Sequence, residues 1–134
     1  MSGTVPVEEK MLRSLKSAVT YLENSALASE KEDEGSLADN LWHVAAELEY
    51  ALFLLSITTQ RESGVPESRS NRRSKEVDVD STLIDVKGLL NEAQEFVLGG
   101  RLKEAYESAY AARNRVLTIK EILAKKRRAM LKKK

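Results

Sequence analysis

Apolar side chains recur at steps of three and four residues in four separate stretches of this chain, and charge or glycine cuts off each stretch before the next begins. With 3.6 residues per turn, that spacing lines up the apolar residues of a stretch on one helix face. The first stretch, from about Val7 to Ala28, aligns Met11, Leu15, Ala18, Val19, Leu22 and Ala26. The charged cluster from Glu30 to Glu34, followed by Gly35, breaks it, and Ser36 with Asp39 resembles a capping box that starts a second helix. From Leu37 to about Gln60 the stripe is Leu41, Val44, Ala45, Leu48, Leu52 and Leu55. A second set, Trp42, Ala46, Phe53 and Ile57, widens it so far that this helix is expected to be central or covered by a partner.

The third helix is expected over Thr82 to Leu98, with Val86, Leu90, Ala93 and Val97 on one face and Asp80 or Ser81 as its cap. Gly99 and Gly100 end it, since glycine tolerates the left-handed conformation of a helix C-terminus. The fourth begins at Arg101 and carries Leu102, Ala105, Ala109, Ala112, Val116, Ile119 and Leu123. Between the second and third, residues 61–78 hold Gly64, Pro66 and five serine or asparagine residues with few apolar side chains, which reads as a flexible loop. These elements predict an all-α protein: an antiparallel four-helix bundle built from two helical hairpins, with a long basic C-terminal helix. All 134 residues fit a single helical domain. At that size roughly two thirds of the unfolded surface is buried, enough for a core without covalent staples.

The fourth helix, about 30 residues long, would reach about 45 Å against about 33 Å for the first, so its last turns should overhang the bundle. Its stripe fades after Leu123 while basic residues crowd in, making 124–134 a basic C-terminal arm. The net charge of +1 conceals this asymmetry. Residues 1–60 have 4 basic and 10 acidic groups, giving −6, and residues 61–134 have 18 and 11, giving +7. Such a block can neutralise phosphates or meet an acidic protein surface. The groups expected at such a contact are Arg113, Arg115, Lys120, Lys125, Lys126, Arg127 and Arg128. A second patch, Arg69, Arg72, Arg73 and Lys75, is interleaved with Ser68, Ser70, Asn71 and Ser74 in the loop.

Composition excludes several kinds of chemistry. Cysteine is absent and His43 is the single histidine, so thiol catalysis, disulfides and multi-histidine metal sites have no residues to build them. No cofactor and no metal are expected. A helical bundle with an accessible histidine is similar to a phosphotransfer domain, and His43 is the one candidate carrier. Where that family places a lysine and a glycine three and four residues on, this chain has Ala46 and Glu47. Helical nucleases of the HEPN type need an arginine a few residues before the histidine, and the nearest upstream is the distant Arg13. Glu47 and Glu49 read as surface carboxylates, because a bundle di-metal site needs a second histidine.

Leu89 to Ala112 resembles one tetratricopeptide hairpin through Ala93, Phe96, Gly100, Leu102, Ala105 and Ala112, whose small side chains let two helices approach closely. The likeness covers about a fifth of the chain. Glu92 falls where leucine is usual, and no second copy follows, so it implies a tight helical hairpin and not a repeat array. Trp42, Tyr106 and Tyr110 are candidate interface anchors, tryptophan and tyrosine being enriched at binding surfaces.

The N-terminal residues lack a basic leader and apolar run, and Leu48 to Ile57, the most apolar stretch, is ten residues with Glu49 inside it, against about 20 for a span. No membrane insertion is expected, and the expected location is cytoplasmic. The function expected is a non-catalytic interaction subunit, an adaptor or accessory component of a larger complex, bound to a protein partner or to itself and using its basic arm on an acidic surface. The alternative is a nucleic-acid-binding or ribonucleoprotein accessory protein that contacts phosphate backbones non-specifically.

Overall fold

Pro6 opens the first helix: with φ −60° and ψ 148° it stays extended, while its carbonyl accepts the N–H of Glu9 at 3.0 Å. Helix α1 (Val7–Glu30) follows, with Glu8 and Glu9 in its first turn, where the helix dipole favours negative charge. The computed structural model describes residues 6–59 and 78–132, and continues with α2 (Glu34–Thr59), α3 (Val79–Leu98) and α4 (Leu102–Lys132). No strand occurs among the described residues. Of the loop expected at 61–78, residues 61–77, with the basic patch Arg69, Arg72, Arg73 and Lys75, lie outside them.

Two connections, Lys31 to Asp33 and Gly99 to Arg101, have the same hydrogen-bond design. In the first, Glu32 N–H donates to Ser29 O at 3.0 Å and Asp33 N–H to Ala28 O at 2.9 Å. In the second, Gly100 N–H donates to Val97 O at 3.1 Å and Arg101 N–H to Phe96 O at 2.8 Å. This is the Schellman pattern, which closes orphan carbonyls by turning one residue left-handed. Gly100 does so at φ +77°, as glycine readily can, whereas Glu32 does so at φ +57° against its own Cβ.

Gly35 is therefore not the breaker. It lies inside α2, and the left-handed residue comes three positions earlier. The cap differs from the Ser36–Asp39 reading as well: Asp33 Oδ1 accepts the Ser36 N–H at 3.1 Å, so α2 starts at Glu34. Likewise Asp78 caps α3, accepting from the Ser81 N–H at 3.2 Å and its hydroxyl at 2.8 Å, one turn before the expected start. In each case an aspartate just outside the helix satisfies the third helical N–H. At the start of α4, the Glu104 carboxyl is held below the usual carboxylate range, first by its own backbone N–H and then by Arg101.

Each helix touches two others among the described residues: α1 packs on α2 and α3, and α4 packs on α2 and α3. The core lines are Met11, Leu15, Ala18 and Leu22 from α1, and Leu41, Val44, Leu48 and Leu55 from α2. Leu83, Val86, Leu90 and Ala93 join them from α3, with Ala105, Ala109, Ala112, Val116 and Ile119 from α4. In α1 the line passes through Ser25, fully buried, while Ala26 is exposed, because steps of 4, 3, 4 and 3 from Met11 land on 25. The buried serines find partners. Ser25 Oγ donates to Tyr21 O at 2.9 Å, and Ser14 Oγ reaches Glu47 Oε1 at 2.8 Å. Helix α2 is long and apolar enough to cross a membrane by length and composition, yet nine of its side chains are buried in this core. That is the place of a core helix.

The two left-handed residues predict changes of opposite sign. Gly100→Ala should destabilise the protein by about 1 kcal/mol, because Ala carries the Cβ that the left-handed region penalises. Glu32→Gly should stabilise it by about 0.5 kcal/mol, the relief of that strain being offset in part by glycine's greater freedom when unfolded. Urea unfolding followed by circular dichroism measures both; the same sign for the two would contradict this account.

Candidate functional site

Helix α2 has apolar residues on two opposite faces, and the bundle uses one. Leu41, Leu48 and Leu55 point inward with no exposure at all. On the far side, Trp42 is 57% exposed, Tyr50 46%, Phe53 58% and Ile57 56%, with Ala46 also exposed between them. At 100° per residue these five fall within about 80° of one another, centred opposite the core line. The second set that widens the stripe in the sequence is thus not a broader core face. Tyr50 belongs to this face and was not expected there. Its spacing from Trp42 and Ala46 would have shown it.

On the α1 side of this face, the His43 ring stacks on Tyr21 at 4.5 Å between centroids and meets Trp42 edge to face at 5.2 Å. Glu47, four residues on, is engaged by the Ser14 hydroxyl, so it does not orient the imidazole. Neither a carbonyl nor a carboxylate bonds His43 among the described residues. Ring packing positions it instead.

On the α4 side, Glu49 pairs with Arg113 at 3.3 Å. The Arg113 guanidinium lies over the Tyr110 ring at 4.9 Å, and Tyr110 stacks on Tyr106 with centroids 6.1 Å apart. Arg113 Nε is buried without a hydrogen-bond partner among the described residues. Expected as a contact for an acidic partner, Arg113 is thus committed within the molecule, tying α4 to α2. Tyr106 and Tyr110 are half-buried beside it, whereas Trp42 stands open.

Further along α4, Arg115 and Lys120 are half-buried. Past Leu123 every described side chain is exposed, including Lys125, Arg127 and Arg128, with Met130 at 64% and Leu131 at 67%. The arm is a continuous helix anchored at its base, where Lys126 Nζ donates to Glu34 Oε2 at 3.0 Å. This contact crosses the bundle end, over a cavity of about 360 Å³ lined by Ser29, Glu32, Leu37, Val79 and Leu123 among others. Among the described residues no three acidic or histidine side chains gather as a metal site.

Comparison with protein families, with characterised proteins and with solved structures returns no match.

The two sides of α2 should respond differently to truncation. Leu48→Ala should cost about 3 kcal/mol of stability as a buried leucine, while Phe53→Ala should change it by less than about 0.5 kcal/mol. A double-mutant cycle on Glu49 and Arg113 should give a coupling of about 0.2–1 kcal/mol, because the pair is partly exposed. Equal losses at positions 48 and 53 in thermal unfolding would mean that Phe53 is part of the core.

Proposed function

We propose that this chain is a non-catalytic interaction subunit, an adaptor or accessory component of a larger complex, soluble and cytoplasmic. The observation that carries this reading is the outward apolar face of α2. A large aromatic set, about half exposed among the described residues and bordered by Asp39 and Glu49, is the composition of a docking surface. In this reading the architecture is an antiparallel bundle of two helical hairpins. What supports it is the order of the cross-helix contacts. Ser14 meets Glu47 while the later Tyr21 meets the earlier His43, and Arg113 meets Glu49 while the later Lys126 meets Glu34.

The basic arm serves an acidic surface. Lys125, Arg127 and Arg128 are the groups open to it, with Lys126 holding the arm's root to α2. A second reading, favoured by the exposure of these side chains on a projecting helix, is phosphate-backbone binding to nucleic acid. Arg115 and Lys120 would add to such a contact from the bundle's flank.

Two measurements separate the readings. Partner capture from cell extract by the full chain should be lost on Phe53→Arg, with helix content unchanged; capture equal to that of the unaltered chain would remove α2 from the function. Labelled RNA and DNA duplexes titrated with the full chain, and with Lys125, Arg127 and Arg128 all changed to glutamine, test the second reading. Three phosphate contacts predict about a 40-fold loss of affinity between about 50 and 200 mM salt, and near-complete loss in the triple variant. Binding that ignores salt and the three substitutions would exclude the arm as a phosphate contact.

A further inference from the structure

We propose that the outward face of α2 is where this chain dimerises, with α2 of a second copy lying antiparallel across it and the two-fold axis passing between Glu49 and Tyr50. The proposal rests on that face being a docking surface and names its occupant.

The stripe is complementary to its own reverse. About an axis between positions 49 and 50, Trp42 faces Ile57 of the second copy, Ala46 faces Phe53, and Glu49 faces Tyr50. Ala46 is the one small residue among the five, and it falls opposite Phe53, so the largest protrusion of each copy meets the shallowest point of the other. Interiors pack by such alternation of large and small. A parallel arrangement would set Phe53 on Phe53 and Ala46 on Ala46, leaving a clash beside a void. Tyr50 of the two copies meets at the axis, one residue offset, where the rings can stack.

From Tyr50 to Thr59, α2 has no ionisable group except the Tyr50 phenol, and antiparallel packing lays that uncharged half over the half that carries Asp39 and Glu47 in the other copy. About this axis the two Glu49 side chains meet one residue offset, as the two Tyr50 side chains do. Arg113 already offsets Glu49, and Ser14 hydrogen-bonds Glu47, so neither carboxylate enters the seam unpartnered.

The area suits a reversible dimer. From Trp42 to Ile57 the stripe is about 22 Å long at 1.5 Å per residue. With 150–250 Å² per aromatic side chain, the observed exposures leave about 450 Å² of apolar surface on each copy. Specific interfaces bury about 800 Å² per partner, so the stripe supplies about half. Leu117, 40% exposed and one helical turn beyond the Arg113 that pairs with Glu49, adds to it. An interface of this kind is concentration-dependent, with dissociation in the micromolar range.

Light scattering on the full chain should show its mass rising from 15.0 kDa toward twice that value with concentration. A range from about 1 to 200 μM brackets a micromolar dissociation constant. Phe53→Arg should remain at the monomer mass with unchanged helix content and melting temperature, since Phe53 is outside the core. The absence of cysteine makes the geometry directly testable. Tyr50→Cys should form a disulfide with its own copy. Trp42→Cys alone should not, the two positions being about 22 Å apart along the helices. Mixed with Ile57→Cys, it should cross-link.

A mass of 15.0 kDa at every concentration overturns the proposal, as does a Phe53→Arg variant that still dimerises. Self-cross-linking of Trp42→Cys in place of Tyr50→Cys overturns the antiparallel geometry. If the chain stays monomeric while Phe53→Arg abolishes capture of another protein, the occupant is a different chain and the interaction-subunit reading stands. If neither changes, both readings fall.

Discussion

One buried line of side chains per helix, pressed against two neighbouring helices, is the constraint from which the rest of this molecule follows. Full burial of a leucine contributes about 1.5–3 kcal/mol relative to exposure, and Leu15, Leu41, Leu48, Leu55 and Leu90 are all completely inaccessible. Against them α4 sets alanines at 105, 109 and 112, which contribute little apolar area themselves. Small residues let the α4 backbone come close to α2 and α3. Because this core needs only one face of each helix, whatever apolar surface lies on an opposite face is left outside.

Among the described residues that surplus is largest on α2. Its flanks are held at both edges by contacts to its neighbours: Ser14 and Tyr21 from α1 engage Glu47 and His43, and Arg113 from α4 engages Glu49. These polar and aromatic contacts have modest worth individually. Together they fix how α2 is rotated about its own axis, and so fix the outward direction of Trp42, Tyr50, Phe53 and Ile57. At the bundle end, Lys126 and Glu34 tie the base of the basic helix to α2. Beyond that pair no further core contact holds the described residues of α4, and charge replaces packing as the character of the helix.

Much of this was legible in the amino-acid order. The inner lines of α2, α3 and α4 follow from local periodicity, and so does the end of α3 at Gly99 and Gly100, because each depends on residues within one or two turns. The boundaries were less legible. Gly35 has the residue type of a helix breaker, yet the left-handed position fell to Glu32, since tertiary packing fixed where the α1 stripe stopped and the connection took whichever residue stood there. Ser25 escaped notice because a buried serine carries no hydrophobic signal, and its hydroxyl is satisfied within its own helix by Tyr21. Arg113 read as one more member of a basic run, and only a carboxylate 64 positions away in the chain reveals its structural use.

Periodicity therefore established how many helices there are, which line of each is apolar, and that charge accumulates at the end of the fourth, since all of these are properties of neighbours along the chain. It could not decide which apolar set on α2 lies inside. A helix with leucines on one side and aromatics on the other looks the same whether a further element covers the second face or none does. Among the described residues that was settled by the arrangement of α1 and α4, which supplies neighbours for one side of α2 and none for the other.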